Sequence, residues 1–174
     1  GVDITKFTKD QYYNALDFLQ KKIADGFIRQ VKGNDYKEDL ISGDAVAVIG
    51  WSGDAFQLAA ENDGKFDFAI PESGGTISGD NMMIPSTSAH KKNAESLINY
   101  YYEPEVAAQV AAYVNYICPV ADAQPFLEKI DPALAKSPYI FPDDATLAKV
   151  KVFRQLNDDE TTKYQAAFDA AIGN

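Results

Sequence analysis

A chain of 174 residues with 46% hydrophobic and 12% aromatic side chains carries enough apolar matter for a packed core, and its length allows one domain or a compact pair of lobes. With 16 basic against 26 acidic side chains its formal net charge is −10. That balance argues against a nucleic-acid partner, which needs clustered Lys and Arg, and it suits a cationic ligand. One cysteine and one histidine leave no internal disulfide, no zinc cluster and no sign of a cofactor.

The first element is a helix in "TKDQYYNALDFLQKKIADG" (8–26). Thr8 and Gln11 have the spacing of a capping box, and Gly26 suits the position just past the end. Tyr12, Ala15, Leu16, Leu19 and Ile23 share one face of it. "FIRQV" (27–31) is a short strand candidate, and "GNDYKEDLISGD" (33–44) a short helix between glycine turns, with Asn34 or Asp35 as its cap. "DAVAVIGW" (44–51) is a continuous apolar, β-branched run that reads as a strand buried on both faces. A helix in "SGDAFQLAAENDG" (52–64) and a strand in "KFDFAIP" (65–71) would complete a βαβ unit. "GGTISGDNMMIP" (74–85) is extended and closes at Pro85. Two helices follow, in "SAHKKNAESLINYYYEP" and "PEVAAQVAAYVN", the second opened by Pro104. Cys118, inside "YICPV", is expected as a core thiol. Short helical pieces between prolines lead to a last helix from about Asp158 to Ala171. No apolar run reaches the roughly 18 residues of a membrane span. The opening "GVDITKF" has no leader pattern and reads as the start of a processed or excised chain.

The turn "GWSGD" (50–54) invites comparison with a nucleophile elbow. That motif is G-x-S-x-G, and here Gly53 comes one position early with Asp54 behind it. His90, the sole histidine, stands beside two lysines at a helix start and reads as an exposed surface residue. Ser52 therefore reads as a turn or N-cap residue and not as a nucleophile. Trp51 is the sole tryptophan, at the carboxyl end of an expected parallel strand, where open α/β sheets bind ligands. Core packing is the alternative for it. A ring face for a cation is the functional reading.

Several phrases, in this order, resemble the spermidine/putrescine group of extracellular solute-binding proteins of ABC importers. They are "GDAVAVIGWSGDAF", "IPESGG" with "SGDNMMIP", "AESLINYYYEPEVAAQVAAYVNYICPV" and "SPYIFPDDATLAK" with the closing helix. The resemblance implies an α/β fold of the periplasmic-binding-protein type II kind, here only partial: one lobe plus crossing segments of the other. It implies that this chain matches the carboxyl-terminal portion of the family. Residues 1–79 would lie in the second lobe, 80–117 would cross to the first, and 118–174 would return. It further implies an extracytoplasmic location (periplasm or cell-surface lipoprotein), an ABC permease as partner, a polyamine-like cation as ligand and no enzymatic activity. A flank of sheet left unpaired would favour self-association.

On that pattern Trp51 matches an aromatic residue that packs on the polyamine, and Asp80 a carboxylate that grips an amine. Gln155 matches a glutamine contact near the C-terminus, and Asp35 in "GNDY" is a softer candidate. Ser78 departs from the pattern, which often has an aromatic two positions before the acid. It leaves open another small solute, such as an amino acid or a sugar-like compound. One charge-assisted hydrogen bond to an ammonium contributes roughly 1.5–3 kcal/mol and one desolvated cation–π contact about 2. Together they reach about half of the roughly 8 kcal/mol of micromolar affinity. Weak polyamine binding by the isolated chain is the expectation.

Overall fold

A computed structural model describes residues 1–173 and divides them between two compact units. One unit joins residues 1–48 to 151–173; the other is the continuous stretch 49–150.

The first unit is organised by α1 (Lys9–Ala24) and α9 (Asp158–Ile172), which pack on each other, with the short α2 (Tyr36–Ser42) beside them in sequence. Both long helices begin with a capping box. The Gln11 N–H donates to Thr8 Oγ1 at 3.3 Å and the Thr8 N–H to Gln11 Oε1 at 2.9 Å. The Glu160 N–H donates to Asn157 Oδ1 at 2.9 Å and the Asn157 N–H to Glu160 Oε2 at 3.2 Å. Two otherwise orphaned donors are satisfied at each end, which is why these helices start where they do. On the expected face of α1, Leu16 is buried and Tyr12, Leu19 and Ile23 are half-buried, while Ala15 is exposed. Tyr12 and Tyr164 stack with ring centroids 4.0 Å apart, and the Tyr12 hydroxyl donates to the Tyr164 carbonyl at 2.9 Å. The Arg154 guanidinium lies 4.3 Å from the Phe7 ring centroid and forks onto Glu160 at 2.7 and 2.9 Å. That fork, helped by the Asn157 N–H, pulls the Glu160 carboxyl down to about 2.

The second unit holds α3 (Ser52–Glu61), α4 (Lys91–Tyr101), α5 (Pro104–Val114), a 3₁₀ turn (Ala121–Ala123), α6 (Gln124–Ile130), α7 (Pro132–Ala135) and α8 (Asp144–Leu147). Its core is small-residue and aliphatic: Ala107, Ala108 and Ala111 of α5 against Cys118, Ala123, Leu127, Ala135 and Ile140. Alanines at three positions of α5 let α6 approach closely, and Leu127 and Ile140 fill the space completely. Cys118 is the core thiol expected of it, and burial raises its pKa. A ring trio of Phe56, Phe68 and Tyr139 closes another part of this unit, with centroids 5.2–6.3 Å apart. In α4 the expected stripe is only partly inward: Ala94, Ile98 and Tyr101 are half-buried, but Leu97 is 68% exposed.

The strands depart from expectation. Among the described residues the only ladder is a two-stranded one between β1 (Gly75–Thr76) and β2 (Val150–Lys151). The Gly75 N–H donates to the Lys149 carbonyl at 2.9 Å. Gly74 turns into β1 at φ +97°, and a Cβ there would meet that carbonyl at 2.9 Å, so both backbone conformation and space require glycine. The segments 27–31, 44–50 and 65–71 form no ladder, and the anticipated βαβ unit is reduced to its helix. The run read as a doubly buried strand is exposed instead: Val46 and Ile49 have fully accessible side chains and Val48 is 37% exposed. An isolated strand has no hydrogen-bonding partner for its backbone, and apolar patterning cannot supply one.

Candidate functional site

The helix at the "GWSGD" turn begins one residue earlier than a serine cap requires. Trp51 occupies the N-cap position with extended backbone and makes no side-chain cap bond; Ser52 is the first helical residue. The N-cap reading of Ser52 is thus corrected. His90, as expected, stands exposed, at the start of α4. Trp51 is 55% exposed, so core packing does not account for it, and its ring is accessible.

Three positions on, Asp54 is the one charged residue among the described residues to be classed as buried, at 9% exposure. It sits in the first turn of α3, where free backbone N–H groups and the helix dipole favour a negative charge. Tyr116, 62 positions away in sequence, donates its hydroxyl to Asp54 Oδ1 at 3.3 Å. The tyrosine is aimed there by the residue before it. Asn115 ends α5 in the left-handed region, at φ +59°, and reverses the chain. Gln57 Nε2 donates to the Val114 carbonyl at 3.5 Å, tying the end of α5 to α3. Burial pushes the Tyr116 phenol above its ordinary pKa; the Asp54 charge adds to this, and the Asp80 charge adds a smaller part. Asp80 itself is exposed, in the segment that follows β1.

Trp51, Asp54, Asp80 and Tyr116 all belong to the second unit. They combine an accessible indole, two carboxylates and a phenolic oxygen. Carboxylates accept charge-assisted hydrogen bonds from an ammonium group, and an indole face takes a cation or a methylene chain. Gln155 and Asp35 belong to the first unit and are exposed. Asp35 stands at the N-cap of α2 but in helical backbone and with no side-chain cap bond, so the expected Asx cap is not formed. The Gln155 carbonyl accepts from its neighbour Arg154 at 3.2 Å.

Asp54 and Tyr116 had escaped the reading of the sequence as ligand residues. Asp54 carried a signal, an acid at the first turn of a helix after a glycine. For Tyr116 the signal was Asn115, a residue type that favours left-handed helix ends and re-aims the side chain after it. Among the described residues no group of three His, Cys, Asp or Glu side chains could hold a metal ion, and no helix is long and apolar enough to cross a membrane.

Comparison with known proteins places the fold. A solved spermidine/putrescine ABC transporter substrate-binding protein from Streptococcus pneumoniae superposes with a TM-score of 0.72 at 24% identity, over 96% of this chain and 50% of that one. The fold is accordingly that of part of a periplasmic binding protein. The putrescine-binding periplasmic protein of Escherichia coli (strain K12) is 28% identical over 155 residues, 86% of this chain and 41% of that protein. The spermidine/putrescine-binding periplasmic protein of the same organism is 31% identical over 135 residues, 78% of this chain and 36% of its own length. The chain thus spans about two fifths of these curated relatives and half of the solved one. The family model described as bacterial extracellular solute-binding protein matches residues 1–142. With most of its length matched, the chain belongs to the bacterial extracellular solute-binding protein family.

Proposed function

We propose that this chain supplies one side of the ligand site of a polyamine-binding protein serving an ABC importer outside the cytoplasm. The observation that carries this reading is the Tyr116 hydroxyl on the Asp54 carboxylate in the first turn of α3, the helix that the 55% exposed Trp51 precedes. A polyamine is an apolar chain with ammonium groups along it, and it needs carboxylates with an aromatic face between them. Relatives named for putrescine and spermidine binding support the ligand class. The family, described as extracellular, supports the location, and the solved relative's description as an ABC transporter substrate-binding protein supports an ABC permease as partner. Residues 1–79 are assigned to one lobe, 80–117 to a crossing into the other, and 118–174 to the return. Gln155 and Asp35 are assigned weaker ligand roles, because each is an exposed polar side chain.

Titration with putrescine and spermidine, read by the fluorescence of Trp51, tests the site directly, since this is the sole indole. Binding is expected to be weak, because two or three contacts reach only about half of micromolar affinity. A submicromolar constant from calorimetry on the chain alone would refute that shortfall; no response to any polyamine would sink the ligand assignment. A thermal-shift panel adding amino acids and sugars addresses the alternative that Ser78 keeps open, because binding raises the melting temperature by mass action. A fluorophosphonate probe is expected to leave Ser52 unlabelled; labelling there would return the hydrolase reading.

The exposed apolar run 44–50, which forms no ladder, is assigned as a segment that would pair with a strand from outside the described residues. It makes self-association through this segment the expected behaviour at high concentration. Sedimentation showing a monomer at every concentration would dispose of it.

A further inference from the structure

The binding reading makes no use of Gly53, the second residue of α3, although it leaves no room for a side chain at the site. The Tyr116 ring lies directly on its backbone. A Cβ built on Gly53 would stand 2.6 Å from Tyr116 Cζ and 2.7 Å from Cδ2, well inside the roughly 3.5–4.0 Å at which carbon atoms rest. An alanine would therefore force the ring to move. Glycine is otherwise a poor residue inside a helix, because it carries a larger backbone entropy cost than alanine. Its φ is not in the left-handed region, so conformation does not require it. Space does.

The ring has little freedom to move without losing its hydroxyl bond. Asn115 reverses the chain immediately before Tyr116, and Gln57 Nε2 reaches the Val114 carbonyl at 3.5 Å, a long contact between α3 and the end of α5. The Tyr116–Asp54 bond, at 3.3 Å, is already longer than the roughly 2.5–3.0 Å usual between two oxygens, so it has no slack to spare. Lifting the ring off Gly53 by the distance a methyl group needs would break it.

We propose that Gly53 is a positioning residue: by having no side chain it seats the Tyr116 ring, so that the Tyr116 hydroxyl holds the Asp54 carboxylate in the geometry that grips an ammonium group. This role rests on the polyamine-binding function proposed for the chain. It assigns to Gly53 an effect on ligand affinity without contact with the ligand.

A double-mutant cycle tests it, using the wild-type chain, Gly53→Ala, Tyr116→Phe and the double variant. Each is titrated with putrescine below the lowest melting temperature of the four, with Trp51 fluorescence as the readout. Gly53→Ala is expected to weaken binding at least fivefold in the wild-type background and less than twofold in the Tyr116→Phe background, where no hydroxyl remains to be misplaced. Equal losses in both backgrounds, or no loss in either, overturn the proposal. A second readout needs no ligand. With ¹³Cζ-labelled tyrosine, the Tyr116 signal (assigned by its disappearance in Tyr116→Phe) is expected to shift on Asp54→Asn in the wild-type background and to stay put in the Gly53→Ala background. The same shift in both backgrounds overturns the proposal even where putrescine fails to bind. A wild-type chain blind to putrescine but showing the expected shifts would instead leave the positioning role standing and remove the ligand.

Discussion

The two units use the same residue types for opposite ends. Residues 1–48 with 151–173 turn their aromatic rings and charges upon one another: Phe7, Tyr12 and Tyr164 pack together, and Arg154 is held between a ring and the Glu160 carboxylate. Residues 49–150 draw their core from alanines, Cys118, Leu127 and Ile140, with Trp51 and Asp54 at the first turn of α3 and the Tyr116 hydroxyl on Asp54. The second unit builds its main buried cluster from small and aliphatic side chains and sets Asp54 and Tyr116 apart from it, at the start of α3.

The largest expected effect lies in that interior. Leu127→Ala should cost about 2–5 kcal/mol, because the removed methyl groups leave a cavity at a wholly buried site. Leu97→Ala, at 68% exposure, should stay within about 0.5 kcal/mol, so urea melts that fail to separate the two would contradict the core as described. Next comes Asp80→Asn, which should weaken putrescine binding roughly 10- to 150-fold for the loss of about 1.5–3 kcal/mol, with the melting temperature unmoved since Asp80 is exposed. Calorimetry that finds unchanged affinity would detach Asp80 from the site. Trp51→Ala removes a cation–π contact of about 0.5–2 kcal/mol, a loss of roughly 2- to 30-fold read by the same calorimetry. In the first unit, Thr8→Ala should cost about 1 kcal/mol through its capping bond, measurable by denaturant unfolding, and should leave binding alone.

The smallest effect is one of pH. The Glu160 carboxyl sits at about 2 in the fold against an ordinary 4.5. A depressed carboxyl adds stability that is complete above the ordinary value and disappears as pH falls through the folded one. The melting temperature of the wild-type chain should therefore exceed that of Glu160→Gln above pH 4.5, and the gap should close toward pH 2. A gap that persists at pH 2 would mean that the Arg154 fork is not its source.

Legibility in the sequence tracks the range of the interaction. Both capping contacts of α1 join residues three apart, so the pattern itself states the bond, and α9 begins at Asp158 as its residues indicate. Trp51 could be singled out as the sole tryptophan, beside a glycine turn, and Asp80 through the family likeness. The partnership of Asp54 with Tyr116 could not, since it closes across 62 positions and depends on how α5 ends and turns. The run 44–50 shows the converse failure: its composition favours a strand, but a ladder is a property of two segments, and among the described residues no second one pairs with it.

The amino-acid order alone settled where the long helices begin, that the chain is acidic, and which phrases mark its family. Each of these depends on neighbours or on sums. Burial of Asp54, exposure of Val46 and Ile49, and the seating of one ring on one glycine were decided only when distant segments met. Water is excluded, or a strand paired, by whatever segment arrives in space, and the identity of that segment is written nowhere in the local sequence.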